Sequence, residues 1–237
     1  MKPPLSLAIL AYDEEENLPA VLEELFAYLD RRVPGAEVLI IDDGSTDRTA
    51  EVGTRCMAGR PGRVIRHARN RGMGAGLKTA AAAARSDWLS FLPADGQIPP
   101  EAVGALLDAR DAGPTADLVL SVYDHRDDGT LRTLLSWGVR TLIRAVHGVR
   151  MRSDGPYLIR RSLFDPAQLE PDTFFLNFEL PIRASAAALR TRTVTIPCRP
   201  RLAGRSKTAR PGRALSVARD LLTMRRRRLQ ETLTHWR

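Results

Sequence analysis

Two periods alternate along the first half of the chain. Leu5–Leu10, Glu37–Ile41, Arg63–Arg66, Asp87–Leu92 and Asp117–Val122 are short runs dominated by branched and aromatic side chains, the pattern of strands buried on both faces. Between them, apolar residues recur three and four apart. Leu18, Val21, Leu22, Leu25, Phe26 and Leu29 form one helical stripe, and Val103, Leu106 and Leu107 begin another. Asp13 with Glu16 three residues later predicts a capping box opening the first helix, and Thr46 to Met57 reads as the second. A third helix follows Lys78 to about Ala84, and a fourth starts near Pro100 or Glu101. A long helix is expected from Leu131 to Val146. Beyond Gly148 the pattern is less regular, with short strands at Tyr157–Ile159 and Thr193–Ile196 and a helix within Phe174–Leu189. Strands alternating with helices predict an α/β fold, a three-layer α/β/α sandwich around a mainly parallel, Rossmann-like sheet.

The polar punctuation falls at one end of these strands. Glu37–Ile41 stops in Asp42, Asp43, Gly44, Ser45, Thr46 and Asp47, and Asp87–Leu92 stops in Pro93, Ala94, Asp95, Gly96 and Gln97. Ligands of open α/β sheets sit outside the carboxyl ends of the strands, so acids there are placed to meet one. The same residues also suit an Asx-turn and a helix cap, and both readings stay open. Gly72, Gly74 and Gly76 precede Lys78 in a glycine-rich turn that lacks Walker spacing. It reads either as a weak phosphate loop or as tight packing. His67, His125, His147 and His235 have no ligand spacing and carry no assigned role.

Composition adds a polarity along the chain. The 237 residues carry a formal charge of +8. Arg199 to Arg237 hold twelve Lys and Arg against Asp220 and Glu231, which is +10 and leaves −2 for everything before. The expected organisation is one α/β domain over 1–210 and a basic amphipathic C-terminal helix over 211–237. That basic end points to an anionic partner, either phosphate groups, a membrane surface or nucleic acid, or else is a solvated helix face. Aromatic residues for base stacking are missing there apart from Trp236, which makes nucleic acid the least supported partner. No targeting segment or membrane-length apolar run is evident, and the two cysteines, Cys56 and Cys198, form no metal-type pair. A cytoplasmic protein, soluble or peripheral on the inner membrane face, is expected.

Five stretches in order resemble the motifs of family 2 glycosyltransferases: Ala11-Tyr12-Asp13-Glu14, Asp42 to Asp47, Asn70-Arg71-Gly72-Met73-Gly74, Ala94-Asp95-Gly96-Gln97, and Arg201 to Lys207. The subgroup most similar is the polyprenyl-phosphate type represented by dolichyl-phosphate mannose synthase. The resemblance implies a GT-A-like fold and an inverting transfer of sugar from a UDP- or GDP-sugar to a polyprenyl phosphate. A soluble acceptor, such as a natural product or carbohydrate, is the alternative, and a nucleic-acid or anionic-surface binding module a remote one.

Carried over by position, the resemblance implies a nucleotide-sugar site lined by Ala11, Tyr12, Glu14, Asp42, Asp43, Gly44, Asn70, Gly74, Lys78, Ala94, Asp95 and Gly96. It implies a basic loop with Arg201, Ser206 and Lys207 closing over the donor phosphates. Asp95 and Gln97 are the implied ligands of Mg²⁺ or Mn²⁺. Asp154 is the candidate base or acceptor orienter, with Glu179 in reserve, and Asp95 completes the catalytic set. Two positions depart from the pattern. Pro93 stands where the first acid of the Asp-x-Asp motif is expected, removing one carboxylate from the metal site, and Asp13 replaces the usual asparagine.

Overall fold

The computed structural model describes residues 2–124, 138, 141–148, 153, 155–164, 176–187, 189–202 and 223. Within them the chain builds one seven-stranded sheet. In chain order the elements are β1 (Ser6–Ala11), α1 (Leu18–Arg32), β2 (Glu37–Asp42), α2 (Thr49–Cys56), β3 (Gly62–Arg66), α3 (Met73–Ala83), β4 (Trp88–Pro93), α4 (Glu101–Asp111) and β5 (Leu118–Tyr123). They continue with β6 (Leu158–Arg160), a 3₁₀ turn (Arg161–Leu163), α5 (Leu176–Ala186) and β7 (Thr191–Ile196). The strand order is β3-β2-β1-β4-β6-β5-β7. β6 runs antiparallel between β4 and β5, and every other pairing is parallel. β2 and β3 extend the sheet to one side of β1 and β4 to the other, which makes the β1/β4 boundary the topological switch point.

Alternation along the strands explains the three layers. Leu7 and Ile9 of β1 and Val38 and Ile40 of β2 pack with Leu18, Leu22, Leu25, Ala102, Val103 and Leu106 on the face covered by α1 and α4. Ala8, Leu39 and Ile41 pack the opposite way, against Leu77, Ala80 and Ala81 of α3 and Leu180 and Ala184 of α5. The expected α/β/α sandwich with a mainly parallel sheet is therefore the observed one.

Several helix boundaries differ from expectation. The Asp13/Glu16 capping box does not open α1, which starts at Leu18 behind Asn17 with no side-chain cap. Asp13 instead has φ 49° and accepts a hydrogen bond from Thr46 N–H at 2.7 Å. α2 starts at Thr49, whose N–H donates to Asp47 Oδ1 at 2.9 Å. α3 begins at Met73, so Gly74 and Gly76 lie inside the helix and not in a loop before Lys78. A Cβ on Gly76 would stand 3.3 Å from Leu10 Cδ2, so the glycine lets the helix lie close on the sheet, which is the packing alternative. Of the expected Leu131–Val146 helix, residues 138 and 141–147 are described and helical; the C-terminal helix lies outside the described residues apart from 223.

At the amino ends of the strands, remote from the acidic turns, one buried carboxylate ties three elements together. Glu37, 1% exposed, accepts hydrogen bonds from Ser6 Oγ at 2.6 Å, Arg85 N at 2.9 Å and Arg85 Nε at 2.6 Å. Desolvation pushes its pKa up, but the Ser6 and Arg85 hydrogen bonds and the Arg85 charge together outweigh it and hold the carboxyl below its ordinary 4.5. A carboxyl with a lowered folded pKa stabilises the fold above its unfolded pKa and loses that contribution as the pH falls through the folded one. Urea midpoints measured from pH 7 downward should therefore drop below about pH 4.5, and Glu37→Gln should lower the pH 7 midpoint while flattening that acid limb.

Candidate functional site

The parallel pairings of β1 carry on past the strand ends. Asp43 N–H donates to Ala11 O and Ala94 N–H to Leu10 O, both at 2.9 Å. The turns after β1, β2 and β4 are thereby held side by side at the carboxyl edge of the sheet. The first two are laced together by small polar side chains. Asp13 N–H donates to Ser45 Oγ at 2.9 Å, Glu14 N–H to Thr49 Oγ1 at 2.8 Å, and Glu15 N–H to Asp47 Oδ2 at 3.1 Å. The Ser45–Thr49 stretch thus serves local structure, as capping residues would, and in doing so fixes where Tyr12 and Glu14 stand.

The paired acids have unequal surroundings. Asp43 is saturated: it accepts Arg71 N–H at 2.9 Å, Gly72 N–H at 2.7 Å and the His67 ring, with Nδ1 at 2.7 Å. His67 Nε2 lies 2.8 Å from Thr79 Oγ1. With Asp43 ionised, the neutral ring donates from Nδ1 and accepts the Thr79 hydroxyl at Nε2. Asp43 therefore pins the 70–72 turn to α3. Asp42 is 0% exposed and has Oδ1 bonded by Ser45 N–H at 2.9 Å. Its Oδ2 accepts no hydrogen bond among the described residues. Arg66 Nε stands 3.2 Å from it, a charge contact outside hydrogen-bond alignment, on a side chain that is itself 57% exposed.

The third acid group is bridged across the switch point. Arg201 Nη1 donates to Glu14 Oε1 at 3.0 Å and Nη2 lies 2.8 Å from Asp95 Oδ2, so one guanidinium joins the turns after β1 and β4. Glu14 Oε2 also accepts Asn17 Nδ2–H at 2.6 Å, and Asp95 Oδ1 accepts Gln97 N–H at 3.0 Å. The strap that carries Arg201 leaves β7 and runs along the 94–97 turn. Arg199 N–H bonds Gln97 O at 2.8 Å, Leu202 N–H bonds Asp95 O at 3.3 Å, and Arg199 Nε–H bonds Gly96 O at 2.7 Å. Arg199 also pairs with Glu24 of α1, which raises the arginine's pKa chiefly through their hydrogen bonds. Gly96 has φ 72°, and a Cβ there would lie 2.6 Å from Leu202 Cγ.

Of the expected site residues, the structure gathers Ala11, Tyr12, Glu14, Asp42, Asp43, Gly44, Ala94, Asp95, Gly96 and Arg201 at this edge. Asn70 is exposed on the turn pinned by Asp43; Gly74 is buried and Lys78 half-buried in α3. Glu179 is buried in α5, accepting Arg183 Nε–H at 2.8 Å. Asp154, Ser206 and Lys207 lie outside the described residues. His67, Thr79, Glu24 and Arg199 were not singled out as partners; the alternation Arg199-x-Arg201 after a strand was the available signal for the last.

The pair expected to hold a divalent ion does not fit one as it stands. Pro93 offers no ligand atom. Both oxygens of Asp95 are engaged, Oδ1 by Gln97 N–H and Oδ2 by Arg201, which leaves the side-chain amide oxygen of Gln97 as the one ligand atom of the pair not engaged among the described residues. Among the described residues no three His, Cys, Asp or Glu side chains converge as a metal cluster.

Two stability predictions follow from this geometry. Asp43→Ala strands two backbone N–H groups and His67, and should lower unfolding free energy by roughly 3 kcal/mol, whereas Asp42→Ala, with one loop bond lost, should cost about 1 kcal/mol; urea titration separates them. Gly96→Ala forces a positive-φ residue against Leu202 and should release the strap, read as faster amide exchange at Leu202 and Arg199 with the sheet amides unchanged.

The comparisons agree with this architecture. The sequence model of Glycosyl transferase family 2 matches residues 6–179. Undecaprenyl-phosphate 4-deoxy-4-formamido-L-arabinose transferases are among the relatives. The one from Edwardsiella ictaluri is 33% identical over 211 residues, covering 86% of this chain and 62% of the relative. That from Pseudomonas fluorescens is 30% identical over 225 residues, covering 92% and 64%. The chain thus spans less than two thirds of these relatives' length. Mycobacterium tuberculosis glucosyl-3-phosphoglycerate synthase with phosphoglyceric acid superposes with a TM-score of 0.73 at 22% identity, over 93% of this chain and 79% of that one. The same enzyme with Mn²⁺, UDP-glucose and phosphoglyceric acid also gives 0.73, at 21% identity over 94% and 79%. The sheet and its flanking helices have the GT-A fold of those glycosyltransferases, and the chain belongs to glycosyl transferase family 2.

Proposed function

We propose that the protein transfers a sugar, with inversion, from a UDP- or GDP-sugar to a polyprenyl phosphate. The observation that carries the donor half is the unequal pair of acids at the carboxyl end of β2, beside β1. Asp43 is spent on its own loop, while the buried Oδ2 of Asp42 lacks a hydrogen bond. A buried acceptor without a donor is costly, and a nucleobase N–H or ribose hydroxyl supplies one. Arg66, largely exposed but donating from Nη2 to Ser45 O at 2.9 Å, gives up that bond and turns aside to admit the nucleoside, with Tyr12 and Asn70 as the further lining that the family motifs imply. The diphosphate then extends toward Arg201, with Ser206 and Lys207 next along the basic loop.

The acceptor half rests on the relatives named for undecaprenyl phosphate. A phosphate oxygen of the acceptor, already ionised, attacks the anomeric carbon from the face opposite the nucleotide. The carbon–oxygen bond to the diphosphate breaks as the new one forms, and the nucleoside diphosphate leaves with the electron pair. No proton need be removed, so Asp154, with Glu179 as its reserve, orients the acceptor and does not act as a base. The basic segment 211–237 suits an anionic membrane surface, and no described helix is long and apolar enough to cross a membrane.

Isothermal titration with UDP and GDP, followed by transfer of labelled sugar to undecaprenyl phosphate or to a soluble phosphate acceptor, tests both halves. One nucleotide should bind, and Asp42→Asn should weaken it by about tenfold or more, the loss of one well-placed hydrogen bond to a charged group. Binding of neither nucleotide, with or without Mn²⁺, overturns the donor reading. Transfer to the soluble acceptor alone overturns the lipid one.

A further inference from the structure

Resting on the donor reading above, we propose that Arg201 is the resident cation of this site and takes the place of a divalent ion on Asp95. The donor diphosphate then binds and departs without a metal. Three features carry this. First, the site has lost ligands: Pro93 stands where an acid is expected, and Asp95 has one oxygen in its own turn and the other on Arg201. An oxygen-bound divalent ion sits about 2.0–2.6 Å from its ligand. On Asp95 Oδ2 it would crowd the guanidinium already 2.8 Å away, so it enters only by expelling Arg201.

Second, Arg201 is built in. Its side chain is 15% exposed and lies between two acids each 10% exposed, so removing it leaves buried carboxylates without a counter-charge. The strap beneath it is fixed by backbone bonds to both Asp95 O and Gln97 O, by Arg199 on Glu24 and Gly96 O, and by a glycine whose Cβ would collide with Leu202. A side chain on so constrained a backbone is preorganised, as a bound ion would be.

Third, the guanidinium has donors to spare. Nη1 spends one N–H on Glu14, while Nη2 meets Asp95 Oδ2 as a charge contact at 2.8 Å. Its other N–H groups have no hydrogen-bond acceptor among the described residues and are left for phosphate oxygens, in the planar fork that suits them. In the transfer, the bond from the anomeric carbon to the terminal phosphate oxygen breaks, and the pair it leaves on that oxygen is met by these N–H groups. No proton changes hands.

The test compares UDP and GDP binding by calorimetry in EDTA and in Mn²⁺, for wild type and Arg201→Gln, with circular dichroism and melting curves as the check on folding. In wild type the bound nucleotide should have the same affinity in both, within about twofold, whereas Arg201→Gln should lose about tenfold or more in EDTA and recover part of it in Mn²⁺ once Asp95 Oδ2 is freed. Wild-type binding that appears only with Mn²⁺ overturns this inference and leaves the donor reading intact. A failure of both nucleotides in both conditions overturns the donor reading and this inference with it. The wild-type comparison decides the point even if the variant does not fold.

Discussion

The register of β1 between β2 and β4 is the constraint on which the rest depends. Ala11 pairs with Asp42 and Leu10 with Pro93, and the hydrogen-bond ladders run one residue further into the turns. Because parallel strands end at the same edge, three turns of different sequence are delivered to one crevice without any of them having to be long. A slip of one residue in β1 would turn Leu7 and Ile9 onto the face of Ala8 and carry Glu14 away from Asp95. Packing of two apolar layers and placement of the acids are in this sense one specification.

That specification concentrates negative charge. Counted over the whole residue, Glu14, Asp42, Asp43 and Asp95 all have 9% exposure or less, and buried carboxylates are tolerated only where hydrogen bonds and opposite charges meet them. Each is met differently. Asp43 is met by amides and a histidine, Glu14 and Asp95 by one shared guanidinium, and Asp42 by one amide and a poorly aligned arginine. The difference between an acid spent on its own loop and one with an oxygen left over lies in the partners and not in the residue type. The sequence Asp42-Asp43 therefore could not reveal which was which.

Much of the sheet was legible because buried parallel strands need branched apolar runs, and β1 to β5 have them. The helix starts were not, because the polar residues that resemble caps found partners in a neighbouring turn. Asp13 holds Thr46 across the crevice where a local box was expected, and Asp47 serves both Glu15 N–H and Thr49 N–H. Gly74 and Gly76 were legible as close approach but not as helix, since the packing of Gly76 against Leu10 and Ile41 is a tertiary fact. His67 has no spacing signal at all. Its partners lie 24 and 12 residues away, and only the fold brings them within a hydrogen bond. Arg201 was legible through its motif. Its two acids, 187 residues apart from it in one case, were not legible as its partners.

The charge asymmetry of the chain acquires a meaning from where the strap is fastened. Leu202 N–H is bonded to Asp95 O beside the acidic crevice, and the residues that directly follow it in sequence lie outside the described part of the chain. Those residues open the most basic part of the sequence, Arg205 and Lys207 first. The sequence after Leu202 holds ten Lys and Arg against Asp220 and Glu231, a charge of +8, and at a distance such a charge acts only through a field that salt screens over about 10 Å. Arg199 and Gly96 therefore matter beyond their own contacts: they hold the strap against the 94–97 turn at the point where the basic part of the sequence begins.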